Sequence, residues 1–154
     1  MPRLLVVHHT PSPAMQQMLE AVLAGARDPD IVGVDVVVKP ALEATATDVL
    51  AAQGFLLGTP ANIGYMSGAL KHFFDQIYYP TLIARAGAPF GLWVHGADDV
   101  TGAVRAVRAI TGGLGWRQVH EDVTAVAASG PITREVTEAC YSLGGTVAVH
   151  LAES

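Results

Sequence analysis

Two short polar segments follow apolar runs in this 154-residue chain, and the first has residue types that suit a bound anion. It spans residues 9–15 and leads into a helix that Ser12 and Pro13 predict, as a side-chain cap and a proline at the first helical position. Free N–H groups and the positive dipole end at a helix start favour a phosphate. The segment has no Lys or Arg, so neutral donors would hold the anion. Alternatively, Ser12 and Pro13 only begin their helix.

The second polar segment, residues 58–66, reads GTPANIGYM and lies between an apolar run and an amphipathic helix that Ser67 caps. It is either a plain connection or a shaped binding surface. Its place in the fold distinguishes these two interpretations.

Composition predicts one well-buried domain over residues 1–154. Hydrophobic residues make up 51 % of the chain, charged residues 15 %, and the mean hydropathy is +0.37. No apolar stretch approaches the roughly 18 residues of a membrane-spanning helix, and the N-terminus does not resemble a signal peptide. We therefore expect a cytoplasmic protein with no membrane contact. The single cysteine, Cys140, excludes an internal disulfide.

Charge argues against a nucleic-acid partner. The formal net charge is −5, and the nine Lys and Arg residues are scattered without forming a basic stripe. The six histidines lie on different predicted elements without the spacing of metal ligands, so no metal site is predicted.

Apolar runs alternate with amphipathic segments, which predicts an α/β fold with a doubly wound five-stranded parallel sheet and helices on both faces. The predicted strands are Leu4–Val7, Ile31–Val38, Gly54–Gly58, Phe90–Val94 and one within Trp116–Ala127. The predicted helices run from Pro13 to about Arg27, from about Thr47 to Gln53, from Ser67 to Tyr79, from about Asp98 to Ile110 and from Ile132 to about His150. The sequence Thr-Gly-Gly at 111–113 is expected to stop the fourth helix.

The polarity of the strands predicts their order. The second strand contains Asp35 and the fifth is polar over residues 117–122, whereas the other three are nearly all apolar. Polar strands suit sheet edges, so the order is 2-1-3-4-5. The chain then reverses direction between strands one and three, and ligands bind outside the carboxyl ends of strands at such a point. Residues 8–15 and 59–66 follow these two strands and should line one crevice.

The stretch GTPANIGYMSGALKHFFDQ, residues 58–76, resembles the third-strand loop and following helix of flavodoxin-like FMN proteins, particularly the NAD(P)H-dependent FMN and quinone reductases. The pattern there is Gly-(Ser/Thr)-Pro, then Gly-x-(Met/Pro)-(Ser/Ala)-(Gly/Ala), then Lys-x-Phe-hydrophobic-Asp. The matching residues are Gly58, Thr59, Pro60, Gly64, Met66, Ser67, Gly68, Lys71, Phe73 and Asp75. The order of elements over the whole chain is compatible with this family.

The resemblance implies a flavodoxin-like fold in which the first segment binds the FMN phosphate, the second cradles the flavin ring, and residues 95–99 approach its pyrimidine side. A glycine allows the backbone to approach a flat ring closely. Ile63 and Tyr65 either pack on the ring or cover the crevice as ordinary apolar side chains. The candidate cofactor-binding residues are His9, Thr10, Ser12, Pro13, Ala14, Met15, Thr59, Pro60, Ala61, Asn62, Ile63, Gly64, Tyr65, His95, Gly96 and Ala97. No catalytic residue is assigned, because the flavin carries the chemistry.

The expected function is that of an FMN-dependent oxidoreductase, which passes electrons from NAD(P)H through bound flavin to a quinone or similar small-molecule acceptor. One alternative is a flavodoxin-type electron carrier, which would need a strongly acidic docking face. The other is a flavodoxin-like binding module without FMN, since Pro13, Ala14 and Met15 stand where many family members have Gly, Asn, His or Thr. The apolar composition and the helix at 67–79 favour a homo-oligomer, with a monomer as the alternative.

Overall fold

A single sheet organises the protein in the computed structural model, which describes residues 1–154. The strands are β1 (Arg3–His8), β2 (Asp35–Pro40), β3 (Gly54–Asn62), β4 (Tyr65–Met66), β5 (Pro89–Gly96), β6 (Arg117–Gln118) and β7 (Val123–Val126). The helices are α1 (Pro13–Ala26), α2 (Ala46–Leu50), α3 (Gly68–Ile77), α4 (Thr101–Leu114) and α5 (Arg134–Ala152). None of them has the length and apolar character needed to cross a lipid bilayer.

The parallel strands run in the order β2-β1-β3-β5-β6, and β7 extends the last position alongside β5. Because β5 is the fourth parallel strand and β6 and β7 share the fifth position, the predicted order 2-1-3-4-5 is confirmed. The antiparallel strand β4 pairs only with β3 and forms a hairpin with it.

Helices cover both faces of the sheet, as the apolar strands predict. Alternate residues of β1 enter different cores: Leu4 and Val6 pack with residues of α1 and α5, whereas Leu5 and Val7 pack with residues of α2, α3 and α4. Both cores are fully buried at their centres. Because helices cover both faces of the central strands, a ligand can reach these strands at their ends.

The fifth strand lies within Trp116–Ala127 as predicted, but it is divided in two, because residues 119–122 separate β6 from β7. Polar side chains at this sheet edge bond to one another and to α4. Asp122 accepts hydrogen bonds from Arg108 on α4, at 2.6 Å, and from the Gln118 amide, at 2.9 Å.

Other predicted boundaries also shift. The second strand begins at Asp35 instead of Ile31, because the chain turns through Gly33 at a φ of 84°. The fourth helix begins at Thr101 and does not stop at 111–113. It ends at Gly115, whose φ of 80° suits a glycine C-cap.

The glycines inside α4 and α5 differ in what surrounds them. On α5, a Cβ added to Gly144 would lie 2.0 Å from the carbonyl oxygen of Val22 on α1, so the two helices cross in close backbone contact. On α4, a Cβ at Gly112 would have no neighbour within 4 Å.

We therefore expect opposite effects from one substitution at these two sites. Gly144→Ala forces α1 and α5 apart and should lower the free energy of unfolding by about 1–3 kcal/mol. Gly112→Ala, the matched control, should raise it by about 0.5–1 kcal/mol, because alanine restricts the unfolded chain and favours the helix. Urea denaturation measures both values, and equal effects would contradict the close crossing.

Candidate functional site

Strand lengths create a crevice at the carboxyl edge of the sheet. β1 ends at His8, beside Gly58 of β3, and the His9 N–H donates to the Gly58 carbonyl at 3.0 Å. β3 continues for four more residues, to Asn62, and its Pro60 pairs with His95 of β5. The chain leaves β1 at this step and enters α1, so the step lies where the chain direction reverses, as the strand order predicted.

Ser12 caps α1 as predicted: its hydroxyl oxygen accepts the Met15 N–H at 3.2 Å. The Met15 side chain is fully buried in the core beneath the helix. The N–H groups of Thr10, Ser12 and Ala14 donate no hydrogen bond within the protein. The first segment therefore combines a capped helix with free donors, and the two interpretations of Ser12 are compatible.

A cleft of about 460 Å³ opens at the start of α1. It is lined by Ser12, Pro13, Ala14, Gln17, His95, Ala128, Ser129, Gly130 and Pro131. A groove of the same volume lies between the C-terminal part of α1 and α5, away from the strand ends, and includes Asp28 and Tyr141. Only the first cleft adjoins the crevice at the carboxyl ends of the strands.

Residues 128–131, which line this cleft, were not predicted from the sequence. The Gln17 side chain on α1 accepts the Ile132 N–H at 3.0 Å and so ties this loop to the helix start. The signal that could have found the loop is its turn composition, Ser129-Gly130-Pro131, directly after the last strand. Gly130 has a φ of 91°, which favours glycine.

The second segment is not the loop that the sequence predicted. β3 does not end at Gly58 but continues to Asn62, and β4 returns beside it with Asn62 opposite Tyr65. Ile63 and Gly64 form the two-residue turn, and their φ angles of 51° and 75° both lie in the left-handed region. Positive φ at both positions is the requirement of the type I′ hairpin turn.

Thr59 holds the base of this hairpin together. It is fully buried, and its hydroxyl donates to the Pro60 carbonyl at 2.8 Å and accepts the Ser67 N–H at 2.9 Å. Ser67 in turn caps α3 by accepting the Leu70 N–H at 3.1 Å. The Thr59 hydroxyl is thus already bonded within the protein, at the base of the hairpin.

The hairpin turn rests on the start of α4. A Cβ at Gly102 would lie 1.9 Å from the Gly64 carbonyl oxygen, and one at Gly96 would lie 3.2 Å from the Ala61 side chain. The turn backbone is therefore fixed by its contact with α4. The Ile63 side chain is fully exposed, and the Tyr65 side chain is 41 % exposed. These two side chains do not cover the crevice in the way ordinary core residues would.

The end of β5 forms the other wall. Gly96 is buried and Ala97 is exposed. Asp98 and Asp99 precede α4, and the Asp99 carboxylate accepts the Thr101 N–H at 2.9 Å. This hydrogen bond lowers the pKa of Asp99. His95 is partly buried, and loss of solvent lowers its pKa below the ordinary value of 6.5.

Comparison with known proteins identifies the class to which this fold and site belong. Residues 7–129 match the family model for NADPH-dependent FMN reductase, and the chain belongs to this flavodoxin-like family. A protein named flavodoxin from Aquifex aeolicus (strain VF5) is 31 % identical over 166 residues, which cover 99 % of this chain and 88 % of that protein. These relatives support a flavin-binding oxidoreductase or electron-transfer protein.

Solved structures share the whole fold at low identity. Oxidised flavodoxin 1 from Bacillus cereus has a TM-score of 0.79 at 16 % identity and covers 96 % of this chain and 98 % of its own. A flavodoxin from the domain Archaea has a TM-score of 0.78 at 17 % identity, with 99 % of both chains covered. A flavodoxin, WrbA-like protein from Agrobacterium tumefaciens has a TM-score of 0.75 at 20 % identity and covers 99 % of this chain and 98 % of its own. The flavodoxin-like fold is confirmed.

The residues at the crevice fit an FMN group. The N–H groups of Thr10, Ser12 and Ala14 are free to bind a phosphate at the helix start. The Nδ1 atom of His9 is buried beside them without a hydrogen-bond partner, and buried polar atoms usually have one. A ligand with polar oxygens would satisfy these groups.

The two hydrogen bonds of Thr59 yield a test of the hairpin. Thr59→Val keeps the shape but removes both bonds and leaves the buried Ser67 N–H unpaired, so the free energy of unfolding should fall by about 1–3 kcal/mol. Thr124→Val, on an exposed position of β7, should change it by less than about 0.5 kcal/mol. Chemical denaturation measures both; a Thr59→Val variant as stable as the control would contradict this role.

Proposed function

We propose that this protein is an FMN-dependent oxidoreductase that passes electrons from NAD(P)H through bound flavin to a quinone or similar small-molecule acceptor. The observation that carries the proposal is the start of α1. Free N–H groups open there onto a cleft of about 460 Å³, at the point where the strand order reverses. Membership of the NADPH-dependent FMN reductase family supports both the cofactor and the donor.

Different residues would bind different parts of the cofactor. The N–H groups of residues 10–14 would bind the phosphate, and the helix dipole would add to its stabilisation. The hairpin turn at 61–65 and residues 96–97 at the end of β5 would lie beside the ring. Thr59 would act indirectly, because its hydroxyl holds the hairpin.

When bound, FMN supplies the chemistry of taking up two electrons from a reduced nicotinamide and releasing them to an acceptor. The protein binds and orients the cofactor. Ile63 and Tyr65 expose apolar surface at the hairpin tip, which favours a flat and largely apolar acceptor such as a quinone.

A flavodoxin-type electron carrier is the second candidate, favoured by the 31 % identity to the Aquifex aeolicus flavodoxin. Such a carrier docks through complementary charge, and the net charge of −5 on this chain is modest. The third candidate, a binding module without FMN, rests on Pro13, Ala14 and Met15 in the phosphate segment.

The homo-oligomer stays a prediction. The apolar positions of α3 that favoured it, Leu70, Phe73, Phe74 and Ile77, are buried in the core of the same chain. Any self-association would therefore use other surfaces, and light scattering measures the oligomeric state.

Phosphate binding at α1 can be tested with a charge placed in the cleft. Pro13→Asp favours the helix, since an acid suits its first turn, but its carboxylate would repel the phosphate and should weaken FMN binding at least about tenfold. Gln16→Asp places the same charge on an exposed position of the same helix and should bind like the wild type within about twofold. Quenching of flavin fluorescence measures both affinities. Equal affinities would contradict the phosphate position, and no binding by the wild type would support the module without FMN.

Enzyme and carrier differ in how the flavin becomes reduced. Mixing the FMN-loaded protein with NADPH or NADH in a stopped-flow instrument should bleach the flavin absorbance directly, and a quinone should restore it. Reduction only by a separate reductase would contradict the enzyme and favour the carrier. Free FMN at the same concentration is the control.

A further inference from the structure

The phosphate segment lacks a cation. Residues 8–15 and 128–131, which surround the cleft, contain no Lys or Arg. Pro11 and Pro13 have no N–H group to donate, and the Met15 N–H is already bonded to Ser12. A phosphate monoester carries about −1.5 to −2 charges near neutral pH. The neutral donors of the helix start therefore leave much of this charge without a cationic partner.

His95 is the titratable side chain that lines this cleft, together with Ser12, Pro13 and Ala14 of the helix start. The direction in which the His95 side chain points follows from the alternation of side chains between the two faces of β5. Val94 packs in the core under α2, α3 and α4, so His95 points to the opposite face, where α1 lies. The strand residues on either side of His95, Pro60 on β3 and Ala125 on β7, are not titratable.

Other titratable groups near the crevice are His8 and His9 at the end of β1 and the acids after β5. The Nδ1 atom of His8 lies 2.7 Å from the Thr10 hydroxyl, and burial and the neighbouring His9 lower the pKa of His8. Asp98 and Asp99 are exposed, and Asp99 bonds to the start of α4. No charged group opposes the burial that lowers the pKa of His95, so this imidazole is mostly neutral at pH 7 in the free protein.

We propose that His95 is the cationic phosphate ligand of this site: its imidazolium donates a charge-assisted hydrogen bond to the FMN phosphate, and binding takes up a proton at this residue. The inference rests on the proposed function, because it presumes that FMN binds in this cleft.

The sign of the pH dependence follows from the charge. A phosphate dianion stabilises the protonated imidazole and raises the pKa of His95 in the complex above its lowered value in the free protein. The contribution of His95 to FMN affinity is then fully present below the free-protein pKa and is lost as pH rises through the pKa of the complex. Riboflavin, which has no phosphate, should show no such contribution.

Calorimetric titration with FMN tests the proposal, because titrations in two buffers of different ionisation enthalpy count the protons taken up. Near pH 6, the wild type should take up more protons than His95→Gln and bind FMN roughly tenfold more tightly. The difference in FMN affinity between the two proteins should disappear by about pH 8. The phosphate of free FMN also titrates near pH 6, but free FMN is the same in both titrations, so the difference in proton uptake between the two proteins reports the paired imidazole and phosphate of the complex.

Three comparisons separate this role from a change in folding. His72→Gln, on an exposed position of α3, should match the wild type in affinity and proton uptake. His95→Lys, whose charge persists to higher pH, should bind FMN at pH 8 more tightly than His95→Gln. Riboflavin affinity should be the same for the wild type and His95→Gln, which shows that the rest of the cleft is intact.

Equal affinity and equal proton uptake by the wild type and His95→Gln, with FMN bound by both, would overturn the inference and leave the proposed function standing. Loss of proton uptake in His9→Gln but not in His95→Gln would also overturn it, because the phosphate ligand that takes up the proton would then be His9, at the end of β1. If the wild type binds no FMN at any pH, the proposed function fails, and this inference fails with it.

Discussion

The difference in length between β1 and β3 is the constraint on which the site depends. β1 stops at His8, and the His9 N–H closes its ladder on Gly58, whereas β3 continues to Asn62. Parallel strands place their carboxyl ends at one edge, so a short strand beside a long one leaves a step there. The helix that follows β1 starts in this step with free N–H groups, and the part of β3 that extends past it becomes one arm of a hairpin.

Helix caps and the hydrogen bonds of Thr59 hold the elements on both sides of this step in place. Ser12 and Ser67 each cap a helix, and Thr59 joins the hairpin to the start of α3 through the Ser67 N–H. These bonds use side-chain oxygens, because backbone groups at helix starts and strand ends have no partners of their own. The groups that remain unbonded, at the start of α1 and on the His9 ring, lie at the crevice.

Glycines set the spacing between the elements that carry these groups. Gly102 admits the carbonyl of the hairpin turn, Gly58 admits the Trp93 ring against β3, and Gly144 admits the backbone of α1. At each of these places a Cβ would come within about 2 Å of a neighbouring atom, far inside a normal contact. The arrangement is consistent with family membership, in which the loops bind the cofactor and the rigid sheet and helices position those loops.

The sequence by itself determined the fold class, the strand order and the helix starts at Ser12 and Ser67, because hydrophobic alternation and capping are local properties of the chain. It also indicated both segments of the crevice, since these directly follow buried strands. Only the tertiary structure decided that residues 59–62 are strand, that the fifth strand divides, and that residues 128–131 and His95 meet at the start of α1. The physical reason is that pairing between strands and convergence of distant loops depend on neighbours far away in sequence, which local patterns do not encode.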